Sequence, residues 1–263
     1  MAVEVIAVDW SGAKKGARKK IWRAKAVVPG QLEELENGLN RDEVEAYLLR
    51  EVKRTLKPII GLDFAFSLPA WFLGEHGLAS AHELWALADR EAETWLENCE
   101  PPFWGRPGHP RPALPDHFRC TERVAPRIGG IGPKSAFQIG GAGGVGTGSL
   151  RGMPLLHRLH VAGFSVWPFD KPAWPRVVEI YPRLLTREVV KSNFTARGSH
   201  LRERYPRLDT NWRERAASCE DAFDAAVSAL AMVEHRDRLS CLSQASERQV
   251  LLEGWIWCPP PSA

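Results

Sequence analysis

The chain has 263 residues, 44% hydrophobic and 25% charged, with a formal net charge of +3. That is the make-up of an ordinary soluble globular protein, long enough for one large domain or two small ones, and no global field demands a polyanionic partner. Five scattered cysteines with no CxxC pair exclude a zinc ribbon and a disulfide framework. No window approaches the ~20 apolar residues of a membrane span, and the N-terminus lacks a signal-peptide core, so a cytoplasmic location is expected.

Charge is nevertheless uneven. Ser11 to Lys20 holds five Lys/Arg and no acid, and Arg183 to Arg215 holds nine Lys/Arg against four acids. Such patches suit phosphate contact, and equally a solvated face.

Residues 3–9, VEVIAVD, form a near-continuous apolar run, the pattern of a strand buried on both faces, and end on Asp9. After a Gly/Lys turn, in which Gly12 lets the chain turn away, IWRAKAVV alternates. Trp22, Ala24, Ala26 and Val28 share one face, which predicts a strand returning against the first, with room for a third. Asn40 and Glu43 have capping-box spacing, and Val44, Tyr47, Leu48, Val52 and Leu56 keep a helical period up to Pro58. IIGLDFAFSLP, 59–69, reads as a second buried strand and carries Asp63. Ser80 and Glu83 open another helix with Leu84, Leu87, Ala88, Trp95 and Leu96 on its apolar face.

From about 100 to 150 Pro and Gly dominate and periodicity is lost, the mark of a functional or mobile loop inside a domain. Regular structure resumes with MPLLHRLH, helical after Pro154, then a short strand in GFSVWPFD and a buried strand, VVEIYPRLL, bearing Glu179. The run CEDAFDAAVSALAMVEHR predicts a helix with a small-residue packing face, and LLEGWIWC ends the pattern as a strand. Antiparallel strands first and βαβ units afterwards imply an α/β fold, a mixed central sheet flanked by helices.

Three apolar strands thus each carry one acid: Asp9, Asp63 and Glu179. A carboxylate is costly to bury unless paired or bound to metal. Asp221 and Asp224, three apart on the late helix, share a face and can point at one spot. Together these acids can hold two divalent ions that activate water for phosphodiester cleavage, and oxygen donors suit Mg²⁺ or Mn²⁺. The competing explanation is that they cap turns, pair with lysines and favour a helix start.

VDWSGAK, GLDFAFSLP, VVEIYPR and EDAFDAAVSALAM, in this order, resemble the motifs of domain-of-unknown-function family 429, predicted nucleases with an RNase H-like fold of the RuvC type. The resemblance spans most of the chain and implies a single RNase H-like domain over 1–263 with an insertion at about 100–150. It implies that Asp9 and Asp63 are the two strand acids and that Asp221 with Asp224 is the closing DxxD pair, all metal ligands. Glu179 lies in the family's Glu-x-Tyr-Pro motif as an assisting or positioning catalytic group. Nucleic acid, RNA or DNA, is the implied partner. Ser11, Lys14, Lys15, Arg119 and Arg183 are the candidate substrate contacts.

Other signals compete. GAGGVG at 141–146 fits GxGxxG but sits mid-chain, so it reads as a flexible loop near the site that can cradle a phosphate. His157 and His160 lack a zinc-protease context and read as structural or surface residues. Trp10, Trp71 and Trp104 fall near the site loops and could stack bases, although most tryptophans belong in a core. Two further functions stay open. One is an ATP-dependent phosphotransferase of the actin and sugar-kinase kind, gripping phosphates with DWSGAKK. The other is a non-catalytic nucleic-acid-binding module.

Overall fold

Strand β1 (Val5–Asp9) is buried from end to end, as a continuous apolar run requires. Its alternation divides the protein into two cores: Ile6 and Val8 enter one, Val5 and Ala7 the other. The computed structural model describes residues 4–55, 57–141 and 143–260. Val3, Leu56 and Ala142, each part of a pattern read above, lie outside the described residues.

A four-residue helix, α1 (Ala17–Lys20), follows the basic turn. β2 (Trp22–Val27) then runs antiparallel to β1, with Asp9 opposite Trp22, and β3 (Gln31–Glu36) runs antiparallel to β2. The expected alternation holds through Ala26, but Val28 lies past the strand and is exposed. α2 (Arg41–Arg54) begins with the full Asn40/Glu43 capping box and buries Val44, Tyr47 and Leu48.

β4 (Ile59–Leu62) lies parallel to β1 and is much shorter than the 59–69 strand expected. Asp63 still bonds back to Val8 O, but Phe66 N–H turns to the Glu179 carboxylate instead of continuing the ladder. The apolar residues Phe64, Phe66 and Leu68 are buried as an inward-packed turn, which periodicity does not distinguish from a strand. α3 (Ala70–Glu75) and α4 (Ala81–Asn98) follow, the latter capped by the Ser80 hydroxyl as predicted.

In the Pro/Gly-rich stretch, before α6, the described elements are α5 (Cys120–Val124) and two bridges, one joining Trp104 to Gln138 and one joining Ile128 to Ile131. α6 (Gly146–Val161) starts eight residues before Pro154, earlier than its sequence suggested. Pro154 sits inside it, because burying Leu150, Met153, Leu155, Leu156 and Leu159 outweighs one lost helical hydrogen bond.

β5 (Ser165–Val166) and β6 (Arg176–Ile180) are parallel neighbours. The run after Glu179 leaves the sheet at Tyr181, since Pro182 opens α7 (Pro182–Thr186). The basic segment forms α8 (Phe194–Arg204) and α9 (Thr210–Ala217). α10 (Glu220–Glu234) is the predicted small-residue helix, and α11 (Arg236–Ser240) continues from it. The final stretch divides into α12 (Arg248–Glu253) and β7 (Ile256–Trp257), a shorter strand than expected.

The seven-stranded sheet runs β3-β2-β1-β4-β6-β5, with β7 also on β6, and is parallel except for the antiparallel pairings of β2. Residues of α2, α4 and α6 pack one face and those of α7 to α11 the other. Gly61 makes the second contact possible: a Cβ there would lie 2.5 Å from Met232 Sδ of α10. Among the described residues no helix is long and apolar enough to cross a membrane.

Candidate metal centre

Asp9 follows Val5 and Ala7 on the face covered by α10. The Asp63 N–H donates to Val8 O at 3.1 Å, so both acids leave the carboxyl ends of adjacent parallel strands side by side. Their carboxyl groups are within hydrogen-bonding reach of each other. Asp224 joins them from the buried face of α10, and Asp9 and Asp224 keep only 9% and 8% of their surface exposed.

The electrostatics record this crowding. Burial first, then the charges of Asp63, Asp224 and Asp221, hold the Asp9 carboxyl well above its ordinary range. Burial and Asp224 push Asp63 up to about 8 against the pull of Lys191. Asp224 is also raised by burial, although Lys191 opposes it. One Asp224 oxygen, Oδ2, receives the Lys191 ammonium; the other, Oδ1, is buried with no hydrogen-bond partner among the described residues. Asp221 stands one turn earlier in α10, less buried, raised by burial and Glu220 and lowered by Lys20 and Lys191.

Glu179 is held differently. Its Oε2 accepts from Phe66 N–H at 2.9 Å and Arg119 Nη1 at 2.8 Å, and its Oε1 from Arg119 Nη2 at 2.5 Å. The Arg119 guanidinium also donates to Glu122 and to the Glu253 carbonyl. Arg119, expected to contact substrate, is therefore buried at 1% exposure in an internal ion pair. Glu179, expected among the catalytic acids, has both oxygens engaged by it. Glu253 completes this support, accepting from Ala70 N–H and Cys120 N–H and so tying α3 to α5.

Against Asp63 and the Glu179–Arg119 pair lies a cleft of about 580 Å³, lined also by Ser11, Lys14, Lys20, Arg106 and Lys134. Lys14 and Ser11 line it, as does Arg119, while Lys15 is exposed and outside the lining. Arg183 donates to the carbonyls of Arg187 and Val189, yet its charge still reaches Asp224. Among the described residues Asp9 makes no ion pair with the lysines that follow it.

Gly12 proves to be a close-approach glycine: a Cβ there would lie 2.4 Å from Gly148 N. Trp10 Nε1 donates to Gly148 O at 3.1 Å, and Arg151 grips Gly12 O, so the DWSG loop is bolted to the start of α6. Of the GAGGVG glycines, Gly141 and Gly143 are exposed, whereas Gly144 and Gly146 enter the helix under tight packing: a Cβ on Gly146 would meet Ala136 O at 2.2 Å. Trp10 packs on Phe64, and Trp71 donates to Asp116 O within an aromatic cluster, so both serve the core.

Lys134 and Arg106 lie in the aperiodic stretch, where no sequence pattern singles them out, and Lys191 is marked only as one of the cations of the basic 183–215 stretch. Glu253 carried a readable signal, an acid after an apolar run, as Glu179 did. No family model matches the chain, and neither does any curated protein or solved structure.

Proposed function

We propose that the chain is a metal-dependent nuclease with an RNase H-like fold, hydrolysing phosphodiester bonds of nucleic acid with Mg²⁺ or Mn²⁺. The observation that carries this reading is the Asp9, Asp63 and Asp224 cluster, in which three mutually repelling carboxylates converge and Asp224 Oδ1 is buried without a partner. An all-oxygen donor set with an orphaned carboxylate oxygen fits a hard divalent cation. The antiparallel β3-β2-β1 start followed by parallel β4 and β6 is the mixed sheet that the order of elements along the chain implies, and it is compatible with this fold.

Asp9, Asp63 and Asp224 would hold the metal, with Asp221 at the rim. Bound divalent ions supply an activated water and stabilise the leaving oxygen. Lys14, Lys20, Arg106 and Lys134 bind backbone phosphates along the cleft. The Glu179–Arg119 pair positions: by holding Phe66 N–H it fixes the turn that presents Asp63. Lys191 orients Asp224 and offsets part of its charge.

The test is Mn²⁺ titration of the purified protein with RNA, duplex DNA and branched DNA substrates, beside Asp63→Asn. Metal-dependent cleavage lost in the variant is expected. If wild type and variant bind Mn²⁺ equally and neither cleaves, the reading fails. Stabilisation by Mg²⁺-ATP without effect of nucleic acid would favour phosphotransfer.

A further inference from the structure

His82, His160 and Asp170 come from three separate elements and meet at one point. His82 is in the first turn of α4, His160 in the last turn of α6, and Asp170 in the turn after β5. His82 Nε2 lies 2.8 Å from Asp170 Oδ1, and His160 Nδ1 lies 3.2 Å from Asp170 Oδ2. The two imidazoles lie with centroids 4.2 Å apart and planes tilted by 38°, and one ligand atom from each residue falls within 4.8 Å of the others. Gly148, at the acid cleft, is twelve residues before His160 on α6, so the two sites are about 18 Å apart along that helix.

We infer that this trio is a zinc site separate from the acid cluster. Two imidazoles and a carboxylate match the donors zinc prefers, whereas Mg²⁺ prefers oxygen alone. Zinc with ligands at ~2.0–2.2 Å places them roughly 3.3 Å apart. The two His–Asp separations, 2.8 and 3.2 Å, are contacts to different Asp170 oxygens, and since the three ligand atoms span up to 4.8 Å, the side chains close in on the ion as it binds. Asp170 is already oriented, because its Oδ2 accepts Val166 N–H at 2.8 Å. Trp85 and Phe169 form an aromatic wall against His82. His82 and His160 side chains keep 31% and 38% exposure, which leaves a fourth position open to water. The Asp170 carboxylate offers only acceptors, so the two facing imidazole nitrogens are the donors here; to ligate zinc, each ring presents a nitrogen that carries no hydrogen. Zinc would clamp α4, α6 and the turn after β5 together.

The experiment loads the full chain with Zn²⁺ in excess Mg²⁺, removes free metal and measures bound zinc. One zinc per chain is expected, retained in Asp63→Asn and bound more than about tenfold more weakly in His160→Ala and Asp170→Asn. Loading the wild type with Co²⁺ instead gives a readout that needs no variant. Strong tetrahedral absorption supports the site, and a weak octahedral spectrum overturns it. No zinc uptake by the wild type, or uptake unchanged in the two variants, would also overturn it and leave a hydrogen-bonded clamp only.

Discussion

Arg119 clasps Glu179 through both Nη atoms, at 2.8 and 2.5 Å, inside the protein and beside the aspartate cluster. The pair separates two kinds of buried acid that look alike in the sequence. Glu179 is neutralised by a fixed guanidinium. Asp9, Asp63 and Asp224 share the ammonium of Lys191, with the Arg183 charge also acting on Asp224, and repel one another.

Breaking the pair should be costly. Arg119→Met strands Glu179 and Glu122 in the core, and the expected loss is about 3–5 kcal/mol. Urea unfolding measures it, and the double variant with Glu179→Gln should recover part of that loss, because one buried charge is then removed as well. Equal stability of the wild type and Arg119→Met would refute the structural role.

The metal-free protein should lose stability as pH rises from about 4 to 8. Asp9, Asp63 and Asp224 titrate higher in the fold than in the unfolded chain, so the native state binds more protons across that window. The slope of unfolding free energy with pH is then negative for these groups. Other carboxylates, such as Glu253 and Asp170, are lowered and contribute the opposite slope in acid. Melting curves of wild type against Asp63→Asn isolate the cluster. The variant should be more stable without metal at pH 8 by about 1–2 kcal/mol, and this gain should vanish near pH 4.

Lys191 is the cation nearest the cluster, and its removal should have two opposite effects. Lys191→Met should lower the melting temperature of the metal-free protein, since Asp224 loses its partner. It should also tighten Mn²⁺ binding by about tenfold, because a competing charge has gone. Calorimetric titration decides; weaker Mn²⁺ binding would mean that the lysine helps to build the metal site.

Gly12→Ala should disturb the cleft more than the fold. Its Cβ would meet the backbone of Thr147 and Gly148, which no side-chain motion can relieve. A loss of about 1–3 kcal/mol is expected. Under the nuclease reading, cleavage should fall while Mn²⁺ binding stays within about threefold. Wild-type stability in Gly12→Ala would show that the loop can move away from α6.

Much was legible along the chain. The alternation of β2, the Asn40/Glu43 cap, the α10 packing face and the carboxylates in apolar context are local patterns, and each maps onto the fold. The length of β4 and the start of α6 were not legible. Phe64 to Leu68 and Leu150 to Met153 are buried by distant partners, so their apolarity alone does not say whether they continue an element or leave it.

The sequence by itself determined which acids are too expensive to bury without compensation, and that Asp221 and Asp224 share a helix face. Only the tertiary structure decided how each is compensated. A period identifies the face of its own strand or helix. The arrival of Arg119 at Glu179, sixty residues away, and of Lys191 at Asp224 depends on how the chain crosses the sheet. The same holds for His82, His160 and Asp170, whose meeting needs α4 and α6 packed together beside β5. Electrostatic energy depends on distance in space, and local sequence patterning carries little of that information.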